Sequence, residues 1–328
     1  MRPRLIGIGA AVLLLVVVPF ALSDFRTLQL ASVGTLFIAI LGLDVLTGSS
    51  GQISLGNGAF MAVGGYTTAI LVGNHGVRDV WTIPAAAAIA GAAGVLVGIP
   101  ALRISGFYLA LLTFGLAIVL PTVIQRFDHF TGGTFGISFF GSPHETGHGA
   151  GVTLLGGRLT NNQWLYVLTW MIAVPLFFLA WWLVASRFGR SLRAARDSEL
   201  GAAASGVNRT AYKVSAFAVS AAYAGVAGAL LAIENGYVSP SSFPIQLSLY
   251  LVVGAVAGLY GSIWGAALGA LLIEYLPGIV GAFPHVTATQ PGPTTFALGA
   301  ILVVLMLVLP AAIRLGGAIA SRGYPRAR

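Results

Sequence analysis

Apolar runs of roughly twenty residues, separated by short polar breaks, recur along almost the whole chain. That is the length an α-helix needs to cross a hydrocarbon core about 30 Å thick, where every backbone N–H and C=O must be bonded within its own segment. Ten such runs are read, at 5–22, 28–46, 53–72, 81–102, 104–124, 163–185, 214–233, 247–260, 264–283 and 295–314. The eighth and ninth read either as one long span or as two short ones broken near Gly261, giving nine or ten, and a re-entrant short segment gives eight crossings. The pattern predicts an all-α polytopic membrane protein, one transmembrane domain over residues 1–328. Its larger polar pieces are a loop at 126–162, a charged loop at 186–212 and a tail at 315–328.

Arg2 and Arg4 precede the first run, which gives it the flanks of a secretory signal. Its length, and the poor small-residue cleavage site before Ser23, favour a retained helix. Composition agrees with a lipid solvent. Mean hydropathy is +0.91 and charged residues make up 8%, against about a quarter in soluble domains. A net charge of +8 could indicate nucleic acid, but the basic residues flank apolar spans and form no stripe on a folded face. With the N-terminus cytoplasmic and ten crossings, Arg2, Arg4, Arg103, Arg187, Arg190, Arg193, Arg196, Arg209, Lys213, Arg314, Arg322, Arg326 and Arg328 fall inside. Arg26, Arg78, Arg126 and Arg158 fall outside, and this asymmetry is the bias expected of cytoplasmic loops. The chain has no cysteine, hence no disulfide framework and no thiolate metal site.

Glycine spacing suggests close helix packing: Gly254 and Gly258 are four apart, as are Gly261, Gly265 and Gly269. Residues 48–60, GSSGQISLGNGAF, place four glycines, Gln52, Ser54 and Asn57 between apolar runs. Polar groups and flexible backbone at membrane depth must be buried or face a cavity, so this segment is either part of a translocation path or a turn between two spans. Thr113 is a second polar point of that path. Asp44 and Glu274 are the ionisable residues read nearest membrane depth, with a structural hydrogen-bonding role expected of both.

His144, Glu145 and His148 match the H-E-x-x-H pattern of zinc peptidases, but Pro143 and the surrounding glycines disfavour the helix that pattern needs. No cofactor or metal is expected. A Walker A loop requires Lys followed by Ser or Thr, and the sole lysine, Lys213, precedes Val214. The chain therefore cannot bind ATP in that way, and any ATP hydrolysis belongs to another polypeptide.

Within the charged loop, Asp197 and Ser198 can cap a short helix. Glu199, Ala202, Ala203 and Gly206 follow at i, i+3, i+4 and i+7 on one face, flanked by Arg190, Arg193 and Arg196. Such a helix suits docking into a partner's groove, with the alternative a solvated loop that only sets topology. ELGAAASG at 199–206 resembles the coupling motif of bacterial ABC importer permeases. GQISLGNGAFMAVGGYTTAIL at 51–71, GFYLALLTFGLAIVL at 106–120, TGGTFGIS at 131–138, the stretch 189–230 and GYVSPSSF at 236–243 together resemble LivM-type branched-chain amino-acid permeases. Asn57 stands where that family commonly has His, and Asp44 where Asn is usual.

The resemblance implies a type II-like importer fold and a permease subunit in a bacterial inner membrane; the charge bias, with ten crossings, puts both termini in the cytoplasm. It implies a LivH-type permease partner, two ABC ATPases inside, a substrate-binding protein outside, and a branched-chain or other hydrophobic amino acid as cargo. Urea or amide import by the same family is the alternative. Under this reading Arg190, Arg193, Arg196, Glu199, Ala202, Ala203 and Gly206 couple to the ATPase, and Gln52, Ser54, Asn57 and Thr113 line the path. The rivals are an ion-coupled carrier using Asp44 or Glu274, and a metalloprotease at His144 and His148.

Overall fold

The computed structural model describes residues 22–102, 104, 106–141, 153–154, 157–258, 262–281 and 304. Two largely buried helices form the centre. The first, α1, covers Asp24–Leu43 and runs on through a π-helical turn at Asp44–Ser49. The second is α9, Arg209–Asn235, numbered in chain order after the intervening helices. Apolar residues surround α1 with no polar face, which is the pattern of a helix enclosed by protein or lipid on all sides.

Around α9 pack α2 (Asn57–Gly73) and α3 (Asp79–Ala101), while α1 packs on α6 (Asn161–Ala185). Aromatic rings bind that last pair. Phe37 stacks on Trp170 and Phe177 with centroids 6.1 and 6.0 Å apart, and the Trp170 indole N–H donates to the Leu30 carbonyl at 3.0 Å. The α2–α9 crossing is close. A Cβ on Gly228 would lie 1.8 Å from the Met61 carbonyl oxygen, so only glycine lets the two backbones meet there.

Two helices stand further out. α4 (Phe107–Arg126) exposes Leu111, Ile118, Val119 and Val123, and α6 exposes Met171, Trp181 and Trp182. Apolar faces of that extent suit lipid or another subunit and not water. Short elements close the two ends. At one end α5 (Asp128–Thr131) follows α4, and the strands β1 (Ile137–Ser138) and β4 (Tyr237–Val238) pair antiparallel, as do β2 (Thr153–Leu154) and β3 (Gly157–Arg158). At the other end α7 (Arg187–Asp197) and α8 (Glu199–Ala204) carry most of the charge.

Among the described residues six helices are long and apolar enough to cross a membrane. The expected spans 53–72 and 264–283 appear as α2 and α11 (Gly265–Gly281), each 17 residues long. The stretch expected at 247–283 is a hairpin of two helices, α10 (Ile245–Ala257) and α11, and no single long span runs through it. The reason is steric: the Gly258 and Gly265 backbones touch, since a Cβ on Gly265 would fall 1.4 Å from the Gly258 oxygen. Glycines four apart on each helix thus mesh with glycines on the other. The expected runs 5–22 and 295–314 lie outside the described residues, residues 22 and 304 apart.

Replacing Gly228 by Leu is expected to lower stability by about 3 kcal/mol, the upper end of overpacking costs. A thermal melt of the purified protein in detergent checks this, and an unchanged midpoint would contradict the close α2–α9 crossing.

Candidate functional site

Helix α2 begins late because the chain before it is pulled into another use. Residues 51–56 are not helical and Gly51 has φ +71°; the polar side chains of this stretch turn inward, Ser54 at 0% and Asn57 at 1% exposure, while Ile53 is exposed. Unbonded backbone at this depth would cost several kcal/mol per group, on the order given for hydrocarbon. Neighbouring helices supply the partners. The Leu55 N–H donates to the Thr113 hydroxyl of α4 at 2.9 Å, and the Gly56 N–H to Ser54 Oγ at 3.3 Å. Asn57 Nδ2 donates to the Ala39 carbonyl of α1 at 3.5 Å and its Oδ1 accepts from Ser220 of α9 at 3.4 Å. The Gly58 N–H donates to Ser248 of α10 at 3.0 Å. One broken-helix junction therefore ties four helices together.

The charged end is built onto the same junction. Ser186 caps α7, and Leu192 of α7 is buried in a second apolar cluster with Leu46, Ala101, Leu109, Ala216 and Phe217. Arg196 Nη1 donates to the Gly48 carbonyl in the π-turn at 2.6 Å. Arg193 and Arg190 donate to the Val184 and Ala185 carbonyls at the end of α6, each at 3.1 Å. Those carbonyls are the open C-terminal acceptors of a helix, a favourable place for cations.

Helix α8 follows at once. The Ser198 hydroxyl accepts from the Gly201 N–H at 3.1 Å, an N-cap. At its other end Gly206 N–H donates to Ala203 O and Val207 N–H to Ala202 O, both at 3.0 Å, with Gly206 at φ +79°. This is a Schellman closure, which needs a left-handed residue where Gly206 stands. A six-residue helix capped at both ends is thus presented outward. Leu200 is 83% exposed, while Ala202 turns inward at 3%.

The branched-chain amino acid transport system permease component family matches residues 27–319. The LivM high-affinity branched-chain amino acid permease protein of Salmonella typhimurium is 31% identical over 308 residues, covering 89% of this chain and 70% of that protein. The Escherichia coli K12 LivM protein is 31% identical over 317 residues, covering 92% and 72%. The LivH permease protein of the same strain is 24% identical over 290 residues, covering 85% and 91%. The chain belongs to the branched-chain amino acid transport permease family. No solved structure matches it. It is a membrane transport subunit and not an enzyme, and the alternating polar and apolar organisation above is that of a permease.

In this permease Ser54, Asn57 and Thr113 all serve the junction, Ser54 and Thr113 bonded to backbone groups and Asn57 to Ala39 O and Ser220. Gln52, also buried, lies apart from them and donates to Ser50 Oγ at 3.0 Å. Arg190, Arg193 and Arg196 spend donors on this chain's own carbonyls, a contact that charge spacing alone could not reveal. Ala203 faces outward beside Leu200, and Gly206 lies just past the end of α8. The His144–His148 stretch lies outside the described residues.

Asp44 opens the π-turn and is 3% exposed, deeper than its position near a span end suggested. Glu234 of α9 had no place in the sequence reading. It accepts hydrogen bonds from Thr35 at 2.5 Å and Ser32 at 3.4 Å on α1, and lies within electrostatic reach of Glu274 on α11. Its signal was present as one carboxylate at the apolar end of α9, beside the turn at Asn235 and Gly236, where it reads as loop. The hydroxyls that face it are 199 and 202 residues away in the chain.

Thr113→Val leaves the buried Leu55 N–H without its acceptor. A loss of about 1–3 kcal/mol is expected, the cost of one orphaned buried donor, with Thr113→Ser restoring it. Hydrogen exchange at Leu55 should accelerate in the Val variant only; equal exchange in both would remove Thr113 from the junction.

Proposed function

We propose that the chain is one of two permease subunits of an ATP-driven importer for branched-chain or other hydrophobic amino acids in a bacterial inner membrane. The chain's similarity to both LivM and LivH supports a pair of related permeases, this chain with a LivH-type partner. Two ABC ATPases dock inside and an extracytoplasmic binding protein delivers cargo. The end bearing α7 and α8 is cytoplasmic and the end bearing β1 and β4 extracytoplasmic. Ten crossings bring both termini inside, with the whole chain one transmembrane domain.

The observation that carries this reading is α8. It is short, capped at both ends, outward-facing, and rooted through Leu192 and Arg196 in the π-turn beside the broken helix. A helix placed so can transmit a push. When ATP closes the ATPases, they bind one conformer of the permease better than the other, and that difference in affinity drives the change. Glu199, Leu200 and Ala203 meet the ATPase. Arg190, Arg193 and Arg196 hold the base of the lever, while Ala202 and Gly206 fix its shape. The junction then opens, and Gln52, Ser54, Asn57 and Thr113 exchange their internal partners for cargo or water. Such a path needs little affinity of its own, since the binding protein selects the ligand.

The test is reconstitution of the full assembly in liposomes. ATP-dependent leucine uptake is expected, with Leu200→Asp inserting normally but weakening ATPase association about tenfold or more, the scale of a lost apolar anchor. Gly206→Ala should cost roughly 1–2 kcal/mol locally because an L-residue resists φ > 0, and should lower transport without blocking insertion. Uptake of urea and not leucine would reassign the cargo. Vectorial leucine transport by this chain alone on a proton gradient, without ATP, would overturn the proposal.

A further inference from the structure

A cavity of about 120 Å³ lies at the charged end, between the start of α4, the end of α7, the start of α9 and the segment after the π-turn. Its walls divide by chemistry. Ile104 and Leu109 form an apolar side, while Arg196, Lys213 and Gln52 form a polar one. Gln52 is more than nine-tenths buried, so the polar wall is built into the protein and is not a loose surface fringe. The guanidinium of Arg196 gives one donor to Gly48 and has others left in its fork. Asp197, three-quarters exposed, holds its carboxylate 3.7 Å from Arg196 Nε. Gly106, the residue preceding α4, also lines the cavity, and an added Cβ there would meet nothing within 4 Å. Just beyond it Phe107 and Tyr108 are 75% and 72% exposed at the start of an apolar span. Aromatic side chains at a span end mark the headgroup level of a bilayer.

We infer that this cavity binds a phosphate group at the membrane surface. Two cations, a buried amide and an open space at headgroup level are the chemistry of a phosphate site, and basic pockets between membrane helices take lipid headgroups in this way. The apolar lining residues Ile104 and Leu109 suit the glycerol and first methylenes of an anionic phospholipid, and free inorganic phosphate offers the same anion without them. A phosphate held here bridges α4, α7 and α9. It therefore steadies the base of α8, and the state of the lipid surface bears on the lever. The site rests on geometry and charge and does not depend on the cargo or orientation proposed above.

The experiment uses the full transporter in nanodiscs of phosphatidylcholine with or without phosphatidylglycerol. Native mass spectrometry counts retained phosphatidylglycerol, and thermal melts follow added inorganic phosphate against chloride. Wild type and Lys213→Arg should retain the anionic lipid, and Lys213→Gln should lose about tenfold or more of that affinity, the scale of one charge-assisted hydrogen bond. If millimolar phosphate instead raises the midpoint of wild type but not of Lys213→Gln, and lipid retention is the same in all three proteins, the anion comes from solution and the site stands. If neither lipid nor phosphate distinguishes Lys213→Gln from wild type, the inference is overturned. The phosphate arm on wild type needs no variant, so absence of both retained lipid and any midpoint shift there also overturns it should Lys213→Gln fail to assemble.

Discussion

Irregular backbone can lie among membrane helices only where other side chains complete its hydrogen bonds. Everything distinctive here follows from that constraint acting on residues 51–58. The segment cannot be helical through Gly51 and Gly56 and still receive Thr113, so it borrows acceptors from α4, α1 and α10. Borrowing from several helices makes the segment their common fastening. A change in any one of those helices is felt by the others, because each contact is a directional bond in a medium that offers no water as a substitute.

The same economy explains the charged end. Helices α6 and α1 finish with open carbonyls, and the arginines of α7 reach back to them. The outcome is a unit with two kinds of hold: apolar packing of Leu192 against Leu46 and Phe217, and arginine hydrogen bonds at helix C-termini. α8, by contrast, is held by its caps and packs inward through Ala202, leaving Leu200 exposed. Rigid at its base and exposed at its tip, this unit has the arrangement a coupling element requires.

Much of this was readable along the chain. Apolar runs located the helices, because lipid imposes one length and one hydrogen-bonding solution. Ser198 marked the start of α8, since capping is local chemistry, whereas Gly206, expected on the helix face, lies past its end and closes it. Glycines four apart foretold the meeting of α10 and α11, though only the contact of Gly258 with Gly265 showed a hairpin where one long span was the alternative. What stayed hidden is non-local. The targets of Arg193 and Arg196 are backbone carbonyls, which every residue has and no motif marks. The polar surroundings of Glu234 come from Ser32 and Thr35, on a helix folded beside it from the far end of the chain. The break before Asn57 was visible as composition, yet its depth depended on Thr113 being there to receive it.

The central claim is that motion at α8 enters the bundle through the buried contact of α7 with the π-turn. The most direct measurement is the number of leucine molecules imported per ATP hydrolysed by the reconstituted assembly when Leu192 is replaced by Ala. Hydrolysis should continue while import falls, lowering that ratio severalfold, on the scale expected when a buried leucine is truncated and its cluster loosens. An unchanged ratio, with import and hydrolysis intact or falling in parallel, would contradict the account.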